Sequence, residues 1–139
     1  MKCDVYLSFD GNCEGAMDFY KDIFDGEYLM VMRYKDGPPE YCKPEIENKI
    51  MHLTLAFGNG CELKASDDFN MPINKGNNFH ISIAADDEAQ GQAIFSGLMQ
   101  DGKQTMPFEE VFWGGKFGSV IDRFGVQWMI SAPNANDIT

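Results

Sequence analysis

Residues 3–9 alternate: Val5, Leu7 and Phe9 are apolar, while Asp4, Tyr6 and Ser8 are polar or amphipathic. A period of two predicts a strand with one face in the core. The period then changes. Ala16, Phe19, Tyr20 and Ile23 recur at helical spacing. They predict a helix over 13–25, with Asn12 as N-cap, Glu14 in its first turn and Asp25-Gly26 as its stop. Strands are predicted at 28–34, 50–57 and 61–66, the last two joined by a turn at Gly58-Asn59-Gly60. Residues 36–48 hold Pro38, Pro39 and Pro44 and read as a surface loop. Residues 67–78 are rich in Asn and Asp and read as a linker.

The pattern then starts again. A strand is predicted at 79–85. A helix follows over 87–101, with Asp87 as N-cap, Gln90 at the capping-box position, and Gly91, Ile94, Phe95 and Leu98 as the buried stripe. A strand at 103–111 is interrupted by Pro107, and 118–121 with 126–131 form a closing hairpin around Asp122-Arg123-Phe124-Gly125. Residues 10–26 (DGNCEGAMDFYKDIFDG) and 86–102 (DDEAQGQAIFSGLMQDG) align without a gap at an offset of 76. They share Asp10/Asp86, Gly15/Gly91, Phe19/Phe95, Asp25/Asp101 and Gly26/Gly102. Two matched strand–helix starts predict a duplicated βαβββ module. The expected fold is α+β: module one at 1–68, a linker at 69–78, module two at 79–132 and a loose tail at 133–139. The helices cover the outer face of a mixed eight-stranded sheet, so function is sought on the other face.

Composition narrows the class. The chain has 139 residues, 44% of them hydrophobic, enough for a packed core in one small domain. No apolar run approaches the ~20 residues of a membrane span, and the opening MKCDVYLSFD lacks an apolar secretion core, so a cytoplasmic location is expected. The four cysteines, Cys3, Cys13, Cys42 and Cys61, are widely spaced with no CxxC, which reads as free thiols and not as disulfides or zinc ligands. A net charge of −11 argues against nucleic acid and against an anionic membrane surface. With only two histidines, no Ser-His-Asp or Cys-His arrangement stands out.

Three segments carry a family resemblance. They are Tyr6-Leu7-Ser8-Phe9-Asp10-Gly11-Asn12 leading to Ala16, Phe19 and Tyr20; Phe112-Trp113-Gly114-Gly115 with Phe117-Gly118; and Asp122-Arg123-Phe124-Gly125-Val126-Gln127-Trp128. On them the chain resembles the PhnB-like branch of the glyoxalase, bleomycin resistance and extradiol dioxygenase (vicinal oxygen chelate) superfamily. The resemblance implies a curved sheet wrapped around a cleft and a homodimer, and the open sheet edges of such modules also call for pairing. The branch often carries a methyltransferase label. This chain has no glycine-rich strand–helix turn to cradle an adenosyl cofactor, and Gly58–Gly60 reads as a hairpin.

The resemblance also implies where a divalent metal would be held in enzymes of the superfamily, by one side chain on the first and last strand of each module. Here those positions are Asp4 (or Val5), Lys64, His80 and Met129. His80 suits a metal. A protonated lysine and a thioether do not. His52 and Glu62 share the cleft-facing phase, so a metal, if bound, would sit on His80 with Asp4 or Glu62; no cofactor is expected. The residues expected to line a ligand cleft are Tyr6, His52, Glu62, Lys64, His80, Phe112, Trp113 and Met129. Several have a structural alternative. His80 is a base or ligand, or else a satisfied polar residue near a strand start. Lys64 meets an anionic ligand, or pairs with Glu62 or Asp4. Phe112 and Trp113 stack on a ligand, or plug a gap or a dimer seam. Trp128 reads as core and Asp122 as a turn cap. The leading expectation is a small-organic-molecule binder without a standard metal centre. The alternatives are a metal-dependent lyase, isomerase or dioxygenase with an atypical ligand set, and an interaction protein with no small ligand.

Overall fold

The computed structural model describes residues 1–134; of the expected loose tail at 133–139, residues 135–139 lie outside the described residues. The chain order is β1 (Val5–Phe9), α1 (Cys13–Phe24), β2 (Glu27–Arg33), β3 (Ile50–Phe57), β4 (Cys61–Asp67), β5 (Ile81–Ala84), α2 (Glu88–Met99), β6 (Lys103–Glu110), β7 (Lys116–Ile121) and β8 (Gln127–Ala132). Each half is βαβββ. The strands form two four-stranded mixed sheets, ordered β1-β4-β3-β2 and β5-β8-β7-β6, with the first and last strand of each module pairing in parallel. The chain divides into two compact units after Asn74, inside the linker. No helix among the described residues is long and apolar enough to cross a membrane.

In module one, the predicted alternation packs one sheet face on α1. Leu7, Phe9, Leu53, Leu55, Leu63 and Ala65 are buried with Ala16, Met17 and Tyr20 of the helix. Asn12 occupies the N-cap position but makes no side-chain cap bond. The cap comes from Asp67, which was expected to begin the linker and instead ends β4. Its carboxylate is almost fully buried. Oδ1 accepts from the backbone N–H of Gly11 and Cys13, both at 2.9 Å, and Oδ2 accepts from Ile50 N–H at 2.9 Å. One side chain thus ties the helix start to two strands. The long loop is not featureless. It holds three short 3₁₀ turns and is pinned by Arg33, whose guanidinium donates to both carboxylate oxygens of Glu14 (3.1 and 2.6 Å) and to Asn48 O (2.8 Å).

In module two, Ile81, Val120, Trp128, Ile130 and Ala132 are buried with Ile94, Phe95 and Leu98 of α2. Asp87 Oδ1 accepts from Gln90 N–H at 2.7 Å, the predicted cap. Asp122 accepts from Phe124 N–H, Val126 N–H and the indole N–H of Trp128, so it closes the hairpin and anchors the largest core side chain. The ladder between β6 and β7 shifts register between Met106 and Glu109, around Pro107, which has no N–H to give.

The repeated Asp-Gly pair has one physical meaning in both modules. Both aspartates are left-handed (φ 52° and 58°): Asp25 is the C-cap of α1, and Asp101 follows the C-cap Gln100 of α2. The glycine after each is pressed against a strand: a Cβ on Gly26 would lie 2.8 Å from Ala56 O, and one on Gly102 2.7 Å from Ile121 O. The repeated helical glycine does not share this equivalence. Gly15 has open space, whereas a Cβ on Gly91 would meet the Phe108 ring at 2.9 Å and Ala132 Cβ at 3.1 Å.

Candidate functional site

The candidate side chains of module one lie on the sheet face turned away from α1. Tyr6, Lys64, Thr54 and Met30 are successive partners across β1, β4, β3 and β2. Leu7, Leu63 and Leu53 beside them point into the core, so this row points the other way. Tyr6 reaches diagonally over the sheet to His52. Its hydroxyl is 3.2 Å from His52 Nδ1, and the rings are 5.7 Å apart. His52 Nε2 lies 3.4 Å from Thr54 Oγ1. The imidazole is therefore held between two hydroxyls, each able to donate or accept.

Beside this neutral chain runs a charged one. Lys64 Nζ donates to Asp4 Oδ2 at 2.9 Å, and Lys2 bridges Asp4 (3.6 Å) and Glu62. The Lys64 hydrogen bond holds the Asp4 carboxyl below its usual range despite desolvation, and the Glu62 bond raises the Lys2 ammonium. Asp4, and not Val5, shares the face of Lys64. Two ammoniums and two carboxylates leave this corner balanced in charge.

This donor set does not fit a divalent metal. Asp4 and Glu62 already face ammonium groups, His52 has both ring nitrogens engaged, and the Lys64 ammonium beside Asp4 would repel a cation. Among the described residues no three or more His, Cys, Asp or Glu side chains are grouped to hold a metal ion.

In module two, Ser82, Met129 and Ser119 are partners across β5, β8 and β7, on the face away from α2. Thr105 and Ser119 share a hydroxyl–hydroxyl bond of 2.6 Å on that face. His80 lies one residue ahead of β5, which begins at Ile81 and not at residue 79, so no ladder contact fixes its direction; it is exposed. Phe112 and Trp113 sit in the connection between β6 and β7, 97% and 61% exposed. They meet edge-to-face at 4.8 Å, and Phe117 lies 6.0 Å from Trp113. Gly114 and Gly115 follow in the left-handed region (φ 100° and 75°), letting Gly115 O accept from Val111 N–H and close the loop.

The structure thus joins Tyr6 with His52, Lys64 with Asp4, and Glu62 with Lys2 in module one. In module two it joins Phe112 with Trp113 and sets Met129 between two serines. Sequence reading passed over Thr54 and Lys2. Thr54 could have been found from its phase with His52 on β3. Lys2 belongs to the site only through the β1–β4 register.

Residues 1–131 match the family described as 3-demethylubiquinone-9 3-methyltransferase. Protein YjdN of Escherichia coli (strain K12) is 30% identical over 142 residues, covering 94% of this chain and 95% of that protein. Protein PA1353 from Pseudomonas aeruginosa has a similar structure, with a TM-score of 0.86 at 31% identity, covering 96% of this chain and 98% of that one. A putative 3-demethylubiquinone-9 3-methyltransferase, PhnB protein, from Bacillus cereus gives 0.75 at 29% identity, covering 95% and 99%. At 12% identity a glyoxylase/bleomycin resistance protein/dioxygenase domain from Frankia sp. EAN1pec shares the fold alone, with a TM-score of 0.68 over 96% and 98%. The family match runs from the start of module one through the Phe112-Trp113 and Asp122–Trp128 segments of module two. The chain therefore belongs to the PhnB-like family, described as 3-demethylubiquinone-9 3-methyltransferase, and shares its fold with a glyoxylase/bleomycin resistance protein/dioxygenase domain.

Proposed function

We propose that this protein binds a small organic molecule on the sheet faces turned away from its helices, without a standard metal centre. The observation that carries the reading is the Tyr6–His52–Thr54 chain beside the Lys64–Asp4 pair. Tyr6 is half exposed, so its ring offers a flat apolar wall and its hydroxyl a polar group. The Lys64 ammonium can turn from Asp4 to an anionic ligand group. These are the elements of a small-molecule site: apolar surface with few, fixed polar groups. In module two we assign ligand contact to His80, Met129, Phe112 and Trp113.

Methyl transfer finds less support in these residues. The strand–helix turn of module one is closed by Asp67, which takes the N–H groups of Gly11 and Cys13, and that of module two is capped by Asp87. Neither turn leaves those N–H groups to a cofactor. Metal-dependent chemistry meets the donor set described above, in which both carboxylates face lysines.

We also assign a homodimer, paired through β2. This strand is a sheet edge and exposes Leu29, Met30 and Val31. Antiparallel pairing of two copies along β2 covers this edge and buries those three apolar side chains. Sedimentation should give a dimer, and Val31→Lys a monomer; wild-type protein that sediments as a monomer at high micromolar concentration overturns it.

The binding test uses protein purified without added metal. Metal analysis should find no stoichiometric zinc, nickel, manganese or iron. Calorimetry with a panel of aromatic carboxylates should find a saturable ligand. Tyr6→Phe should weaken a ligand of the module-one face about three- to tenfold with the melting temperature unchanged, the effect of one hydrogen bond. A stoichiometric metal lost in His80→Ala would favour the metal-dependent reading instead. No saturable binding, together with a lower melting temperature for His80→Ala, would make these side chains structural.

A further inference from the structure

We propose that Cys3 and Cys61 form an oxidative modification site, a thiol pair that closes to an intrachain disulfide and staples the N-terminal segment to β4. The register carries the inference. β1 and β4 pair in parallel with a constant offset of 58, from Val5↔Leu63 to Phe9↔Asp67. Two residues back along the same offset, Cys3 falls opposite Cys61. The chain ahead of β1 stays beside β4 outside the ladder: Asp4 is bonded to Lys64, and Lys2 to Glu62, each reaching diagonally two residues past the residue at the ladder offset. Those even-numbered residues occupy one face of the pair. Cys3 and Cys61 share the odd-numbered phase and therefore the opposite face, clear of the ion pairs.

Spacing and access allow the bond. Neighbouring strands lie about 4.7–4.9 Å apart, inside the Cα separation of about 4.4–6.8 Å that disulfides span. The Cβ atoms must approach closer than the strand spacing, and Cys3, lying outside the ladder, can make that adjustment. Both residues are exposed. Cys13 is a contrast: it is buried, and desolvation followed by Asp67 and Glu14 pushes its thiol up, which keeps it protonated and inert.

The oxidant is a low-molecular-weight disulfide of the glutathione class. One protein thiolate attacks it, forms a mixed disulfide and releases one small thiolate. The second protein thiolate then attacks the protein sulfur of that mixed disulfide and expels the other small thiolate. Two protein thiols lose two electrons, one small disulfide gains them, and the two thiol protons pass to water or to the released thiolates. Closure would covalently hold the segment bearing Asp4 and Tyr6 beside Glu62 and Lys64. The thiol pair itself does not depend on any ligand being bound there.

The test equilibrates reduced protein in glutathione buffers of stepped redox ratio, quenches with acid, alkylates after unfolding and maps tryptic peptides by mass spectrometry. The expected product joins residues 3–21 to residues 50–64 with Cys13 alkylated, and two of the four free thiols disappear together. Cys3→Ser should abolish the linked peptide, leave helix content unchanged by circular dichroism, and carry only a mixed disulfide at Cys61. The proposal is overturned if Cys3 and Cys61 are alkylated at every ratio. It is equally overturned if each is glutathionylated independently, or if the link joins two chains on a non-reducing gel.

Discussion

Replacing Asp67 with alanine removes one carboxylate and leaves three backbone donors, on Gly11, Cys13 and Ile50, without their acceptor. Hydrogen bonds to a charged group contribute about 1.5–3 kcal/mol each, and loss of a helix N-cap by itself costs about 1 kcal/mol. Three such bonds at a site 1% exposed sum to more than this, but shared geometry and water entering the cavity make them less than additive. The expected loss is about 3–5 kcal/mol, a large share of the roughly 5–15 kcal/mol that holds a domain folded. With a urea slope of about 2 kcal/mol per molar, the midpoint should fall by about 2 M. Asp67→Asn, which keeps one carbonyl but turns an NH₂ toward a donor, should lose about half as much. The assay is urea unfolding followed by far-ultraviolet circular dichroism and by tryptophan fluorescence. Both tryptophans, Trp113 and Trp128, lie in module two. Dichroism should therefore change first and fluorescence later, placing the damage in module one. A midpoint lowered by less than about 0.5 M would refute the claim that Asp67 organises the helix start.

Other expectations follow from single contacts. Gly15→Ala should raise stability by about 0.5–1 kcal/mol through helix propensity, while Gly91→Ala at the repeat-equivalent position should lower it by about 1–3 kcal/mol, because its Cβ meets Phe108 and Ala132; equal signs in thermal melts would defeat the packing account. Arg33 holds the Glu14 carboxyl below its ordinary range, so that pair stabilises the fold above about pH 4 and loses its effect as pH falls through the depressed value. The pair is exposed, so the gap between wild type and Glu14→Gln should be only about 0.5 kcal/mol at pH 7 and should close in urea titrations once the pH has fallen below the depressed value. Trp128→Phe takes the indole donor from the buried Asp122 carboxylate and should cost about 2–3 kcal/mol in the same assay; a loss under about 1 kcal/mol would show the bond to be dispensable.

Much of the fold was legible along the chain. The alternation at Val5, Leu7 and Phe9, the helical stripes of the two repeats, the Asp-Gly stops and the burial of Trp128 are each set by neighbouring residues, because period and turn chemistry are local. What the chain alone did not disclose is who faces whom. Asn12 looked like the cap, yet Asp67, some fifty residues on, does the capping because β4 returns beside β1. The phase of its own strand set His52 toward the cleft; only the folded sheet brings it under Tyr6 from a strand two places away. Gly15 and Gly91 are equivalent by repeat and opposite in environment, since one looks into open space and the other into a phenylalanine ring. Cys3 and Cys61 are distant in sequence and fall opposite each other only when the β1–β4 register is carried two residues beyond Val5↔Leu63. The reason is common to all four. Alternation is decided residue by residue by the partition between water and core, whereas register is a relation between two segments and exists only once tertiary packing has chosen their alignment.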